Sequence, residues 1–200
     1  MVEHNDEHNE VSYYPEIVMY LQTQIESNFL SAYGTELHVF CKFGNLKSKL
    51  REIINENHLN IESITNFANS IPPLDVDIFA LITDGIHFEL LILEIKKTGS
   101  LGLAHWSQLI GYCIVSGAKY GLLVNVDNGV SNRLVNLLGT DENLSSITRI
   151  KSDVQITHRL GVMQWDSLTH NMRYTRLGDI KSLPELCLKI HGAFEGNAIG

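Results

Sequence analysis

Residues 74–97, "LDVDIFALITDGIHFELLILEIKK", constrain the fold more than any other stretch of the chain. Two aliphatic runs flank Thr83-Asp84-Gly85, and Asp-Gly between such runs is a strong hairpin signal. The second run does not fade into a polar loop but ends in Glu94-Ile95-Lys96-Lys97. Charge at the end of a buried strand is costly unless something binds it. Side chains alternate across a strand, so Glu94 and Lys96 share a face. A tight turn centred between Asp84 and Gly85 sets Asp75 opposite Glu94, with Asp77 one diagonal step away on the same face. A one-residue bulge would turn both aspartates to the other face.

The surrounding pattern is α/β. Pro15 suits a first helical turn, and Ile17, Val18, Leu21, Ile25, Phe29 and Leu30 form an apolar stripe that Gly34 ends. Alternation over 36–44 predicts a strand, 46–68 a mostly helical stretch, and Pro72-Pro73 a break before the hairpin. Residues 104–116 read as a helix with Trp106, Leu109, Ile110 and Cys113 inward, 120–126 as a short buried strand, and 130–138 as another helix. Short strands follow from about residue 147, and a last helix after Pro184. Such alternation implies a mixed central sheet flanked by helices. The expected organisation is a disordered acidic tail over 1–12, a core over 13–145, and a small β-rich extension over 146–200 packed on that core. His4 and His8, in the tail, have the spacing of a helical metal site, but nothing around them supports a helix.

Composition sets limits. With 44% hydrophobic and 19% charged residues, a chain of 200 suits one globular domain. No run reaches the length of a membrane span, and the polar start lacks the features of a signal peptide. Cys41, Cys113 and Cys187 are widely spaced and read as free thiols in a reducing cytoplasm. A net charge of −8 argues against a general nucleic-acid coat protein.

The hairpin's charges have a chemical reading. Asp75, Asp77, Glu94 and Lys96 converge on one patch, and carboxylates this close repel one another. A divalent cation removes the repulsion. Oxygen ligands from one or two side chains plus waters suit Mg²⁺, with Mn²⁺ able to substitute. A lysine beside the ion can hold or deprotonate a water, or balance charge on a phosphate oxygen. Metal, water and lysine together make a phosphodiester-cleaving site. The bland reading is a surface ion pair at a strand end.

On these residues the chain resembles the PD-(D/E)xK nuclease superfamily: Asp77 precedes one apolar run, and Glu94-Ile95-Lys96 lies late in the next. The resemblance implies a restriction-endonuclease-like α-β-β-β-α-β core over about 15–126. It implies a metal held by Asp77, Glu94 and the backbone of Ile95, with Asp75 the alternative aspartate, Lys96 beside the attacking water, and 5′-phosphate products. Gln108 and Tyr112, in "HWSQLIGY", are similar to the Gln-x-x-x-Tyr helix of RecB-type members. Four residues apart they share a helix face, so Gln108 is expected to touch Lys96 or a phosphate. A glutamate on an early helix completes the pattern, with Glu26 and Glu36 as candidates. The implied function is Mg²⁺-dependent endonuclease cleavage of DNA in restriction, defence or repair, by a homodimer or with a partner subunit. The C-terminal part is locally basic, and Arg149, Lys151, Arg159, Arg173 and Arg176 are its candidate phosphate contacts. The alternative, favoured by the overall acidity, is a non-catalytic interaction or assembly module of the same fold.

Overall fold

The hairpin forms, and a seven-stranded sheet is built on it. The structure is a computed structural model that describes residues 10–151 and 154–197. Along the chain these form α1 (Tyr14–Tyr33), β1 (His38–Asn45), α2 (Leu46–Glu56), α3 (Glu62–Ser70), β2 (Asp75–Thr83), β3 (Phe88–Lys96), β4 (Ser100–Leu101) and α4 (Leu103–Ser116). Then come β5 (Tyr120–Val126), β6 (Gly129–Val130), α5 (Asn132–Thr140), β7 (Ser146–Lys151), β8 (Val154–Asp166), β9 (Asn171–Gly178) and α6 (Leu183–Asn197). Local chemistry fixes the ends. Pro15 sits in the first turn of α1, and Gly34 closes it at φ 67°, its amide donating to Leu30 O. Asn45 and Ser131 cap α2 and α5 by accepting from the amides of Ser48 and Leu134.

The main sheet runs β1-β2-β3-β5-β8, with β7 and β9 both on the outer edge of β8. β3, β5 and β8 are parallel, and the other pairs are antiparallel. Every residue of β5 is buried, as expected of a parallel strand covered on both faces. Leu91, Leu93 and Ile95 pack toward Ile17, Leu21 and Ile25 of α1 and Leu186 and Ile190 of α6. Leu90 and Ile92 pack on the opposite side, toward Leu50, Ile64, Trp106 and Leu134 of α2 to α5. Each such side chain contributes about 1.5–3 kcal/mol by leaving water.

The structure corrects two sequence expectations and refines a third. The β2–β3 register pairs Thr83 with Phe88 and Ile78 with Leu93, two residues away from the tight-turn register. The cause lies in the loop: Asp84 Oδ1 accepts from the amides of Ile86 and His87, and the Thr83 hydroxyl donates to His87 O. Four residues are thereby drawn into the connection instead of two. The chain also does not stay a tail up to residue 12, because Val11–Tyr13 form a 3₁₀ turn leading into α1 and Glu10 is buried. Residues 1–9, with His4 and His8, lie outside the described residues. Finally, the C-terminal strands lie in the plane of the main sheet rather than on it, since β8 pairs with β5 over Tyr120–Val126. Among the described residues no helix is long and apolar enough to cross a membrane.

Candidate functional site

The register shift is even, so the faces survive and the partners change. Carried one step past Ile78 and Leu93, it sets Asp77 rather than Asp75 level with Glu94. The two strands part at this point, and the freed amide of Ile95 donates to Asp77 Oδ2 at 2.8 Å. A strand residue's N–H and C=O leave by the same edge, so the Ile95 carbonyl also emerges on the Asp77 side. Asp75 is occupied elsewhere, accepting from the Asn45 side chain at 3.2 Å.

Around this point the ammonium of Lys96 lies 2.7 Å from Glu94 Oε1, 3.8 Å from Asp77 Oδ2 and 3.9 Å from Glu10 Oε2. Glu10 is brought in by the 3₁₀ turn, and its Oε1 accepts from the amide of Lys97 at 2.7 Å. Tyr14, on the first turn of α1, is buried beside Asp77. Burial first, and the Asp77 carboxylate second, hold its phenol far above the ordinary range. The Lys97 ammonium turns to the α1 side, donating to Tyr13 Oη at 2.7 Å and lying over that ring. Asn125 fixes the exit of β3: its side chain accepts from the Thr98 amide and donates to Thr98 O and Gly129 O.

Electrostatically the site is overloaded with negative charge. Three carboxylates, of Glu10, Asp77 and Glu94, face the single ammonium of Lys96. Glu94 has no exposed surface. Its Oε1 contact is an ion pair without hydrogen-bond alignment, and its Oε2 has no hydrogen-bond partner. Burial, then the Asp77 charge, push its carboxyl up to about 7, against the pull of Lys96. Burial alone would weaken the Lys96 ammonium, but its contacts with Glu94, Asp77 and Glu10 outweigh that and raise its proton affinity. Orphaned lone pairs on a buried carboxylate are what a cation satisfies. Among the described residues no group of three or more His, Cys, Asp or Glu side chains is placed to hold a metal. The candidate set is smaller, Asp77, Glu94 and the Ile95 carbonyl, which suits an ion that takes one or two carboxylates and keeps several waters.

The remaining expected residues are dispersed. Gln108 is exposed, and its Nε2 donates to Tyr112 Oη at 3.0 Å; this pair is internal to α4. The α4 side chain that senses Lys96 is His105, whose proton affinity is lowered by burial and then by the Lys96 charge. Its Nδ1 accepts from the Gly102 amide, which leaves the proton of the neutral ring on Nε2. Glu26 accepts from the Val39 amide and, with Glu36, lines a separate surface cavity beside His38. The early glutamate that lies beside Lys96 is Glu10, not Glu26 or Glu36. Its sequence signal was the aromatic pair Tyr13-Tyr14 ahead of Pro15, which marks chain that packs. Among the basic candidates, Arg159 pairs with Asp179 at 3.0 Å and Arg173 with Asp166. Arg149 is half-buried on β7, near Gly117. Arg176 is exposed with its backbone at φ 61°. The Lys151 side chain lies outside the described residues.

Comparison with protein-family models, with curated proteins and with solved structures gives no match.

Proposed function

We propose that the chain is a metal-dependent nuclease of the PD-(D/E)xK kind, hydrolysing phosphodiester bonds of DNA at the end of β3. The observation that carries the reading is a fully buried glutamate with an orphaned oxygen, level with Asp77 and 2.7 Å from a lysine. The element order supports it: α1, then β1, β2 and β3 antiparallel in succession, then α4 and β5 parallel to β3. With α2 and α3 set between β1 and β2, that order is compatible with the α-β-β-β-α-β core the resemblance implies.

Asp77, Glu94 and the Ile95 carbonyl would hold Mg²⁺, which when bound supplies charge to a phosphate oxygen and a more acidic water. Lys96, kept charged by its carboxylates, orients a water or donates to a phosphate oxygen. Glu10 balances Lys96 and, through the Lys97 amide, ties α1 to the end of β3. His105 offers a neutral Nε2–H from the α4 side.

A second reading, a non-cutting interaction module of the same fold, is favoured by the net charge of −8 and by the pairing of Arg159 and Arg173 with carboxylates. Cleavage of plasmid, linear and branched DNA with Mg²⁺ or Mn²⁺ separates the two. Metal-dependent cutting that falls on the order of 10²–10³-fold in Lys96→Ala and Glu94→Ala supports the nuclease. Cutting that is undiminished in both variants removes the site, and no cutting by the wild type with either metal favours the module.

A further inference from the structure

A polar cavity of about 600 Å³ lies between the C-terminal end of α5, β7 and the segment that joins β9 to α6, within the usual range for small-molecule sites. Its charged lining is Arg176, Lys181, Asp179 and Glu185, and Asn143 and Ser146 add an amide and a hydroxyl. The two carboxylates are already held. Asp179 lies 3.0 Å from Arg159 and 3.4 Å from Lys189. Glu185 lies 3.5 Å from Lys189, and its Oε2 accepts from the Lys181 amide at 3.0 Å. Arg176 and Lys181 make no ion pair among the described residues. With Arg159 and Lys189 cancelling the two carboxylates, the cavity keeps two uncompensated positive charges in a chain of net charge −8. Arg176 is also set there at a cost. β9 pairs Tyr174 with Met163 and Leu177 with Val162, so Thr175 and Arg176 bulge out of the ladder. The Thr175 hydroxyl donates to Val162 O, and Arg176 takes φ 61°, a region that non-glycine residues rarely occupy. The segment after it is pinned to β8. The amides of Asp179 and Ile180 donate to Leu160 O at 2.7 and 3.2 Å, and a Cβ on Gly178 would lie 2.5 Å from that same oxygen.

Backbone strain persists where surrounding structure holds it and where the aimed side chain has a task. A guanidinium fork, an ammonium, an amide and a hydroxyl around one space are the donors that a phosphate uses. Two free positive charges match a phosphate monoester, a dianion at pH 8, better than the single charge of a phosphodiester inside a strand. We propose that this cavity binds a phosphate monoester through Arg176 and Lys181. A small phosphorylated molecule and the phosphorylated end of a nucleic-acid strand both carry that group.

The test is isothermal titration of the full chain at pH 8 in EDTA, at an ionic strength fixed with chloride. The probes are inorganic phosphate and dimethyl phosphate. Inorganic phosphate is expected to bind, and the singly charged diester to bind about tenfold more weakly or less. Arg176→Gly suits the positive φ and Lys181→Ala alters an exposed side chain, so both keep the fold, which melting temperatures check. Each is expected to weaken phosphate binding about three- to thirtyfold. Arg51→Ala, which removes a guanidinium on α2 bonded to Asn69, is expected to leave it unchanged. Phosphate that does not bind the wild type, binds no better than dimethyl phosphate, binds either cavity variant unchanged, or is weakened as much by Arg51→Ala overturns the site. Competition then tells the sources apart. Displacement of phosphate by ribose 5-phosphate alone supports a small-molecule site. Displacement by 5′-phosphorylated oligothymidylate but not by the unphosphorylated strand supports a strand-end site, and displacement by both strands alike overturns the monoester. None of these readouts needs cleavage, so the phosphate site and the nuclease reading fail separately.

Discussion

A carboxylate with no exposed surface, two acidic neighbours and one ammonium has its proton affinity set by burial first and by those charges second. The folded, metal-free protein thus holds the Glu94 proton more tightly than the unfolded chain does. That contribution to stability is complete below the ordinary carboxylate range and is lost as pH rises through about 7. Metal-free wild type should therefore lose stability between pH 5 and 8. Glu94→Gln, which cannot ionise, should match wild type near pH 5 and exceed it at pH 8 by on the order of 1–3 kcal/mol. Denaturant titrations in EDTA at the two pH values read this directly, and parallel curves for both proteins would show that Lys96 fully compensates the charge. Added Mn²⁺ should stabilise wild type and not the variant. Gln108, exposed and bonded only within its helix, gives the contrasting case. Gln108→Ala should change cleavage by no more than about twofold, whereas His105→Ala should lower it further, both measured as initial rates on one DNA substrate.

Elements were more legible than the contacts between them. Pro15, Gly34, Gly117 and the two aliphatic runs carry their meaning within a few residues, and the helices and strands they mark formed close to the expected bounds. The hairpin register was not legible, because it depends on side-chain hydrogen bonds of Thr83 and Asp84 that Asp-Gly alone does not encode. Glu94 and Lys96 could still be placed on one face, since alternation survives a shift of two. Glu10 was hidden by the acidic residues before it, whose composition masks a contact made with Lys97, far along the chain. Asn125 shows how neighbouring elements hold the site. Its side chain makes three hydrogen bonds to the backbone after β3 and β5, and Asn125→Ala should cost about 2–4 kcal/mol and lower cleavage with it. Close packing gives a second test. A Cβ on Gly161 would strike the backbone oxygen of Ile180, whereas one on Gly121 meets side-chain atoms of Cys113 and Leu160, each at 2.7 Å. Gly161→Ala should therefore lower the melting temperature more than Gly121→Ala, by calorimetry on the two variants.

At the scale of the whole molecule, several basic side chains of the C-terminal part are held by carboxylates of the same part. Arg159 and Lys189 share Asp179, and Arg173 pairs with Asp166, so part of the basic charge of the C-terminal part is already offset. Duplex affinity should accordingly be weak, with a shallow dependence on salt, and Arg159→Ala should leave it unchanged in anisotropy titrations across a salt series. The C-terminal segment matters more for architecture. β8 covers the edge of β5, and all seven residues of β5 are buried. Cut after residue 145, the chain would expose that apolar strand as a bare edge. A growing polypeptide passes through the same state on the ribosome. β1, β2, β3 and β5 emerge while the strand that must cover them is still unmade, and the edge stays open until residues 154–166 have cleared the exit tunnel. During that interval the nascent chain exposes a sticky strand edge, and a chaperone or fast synthesis of the last quarter of the chain would protect its yield.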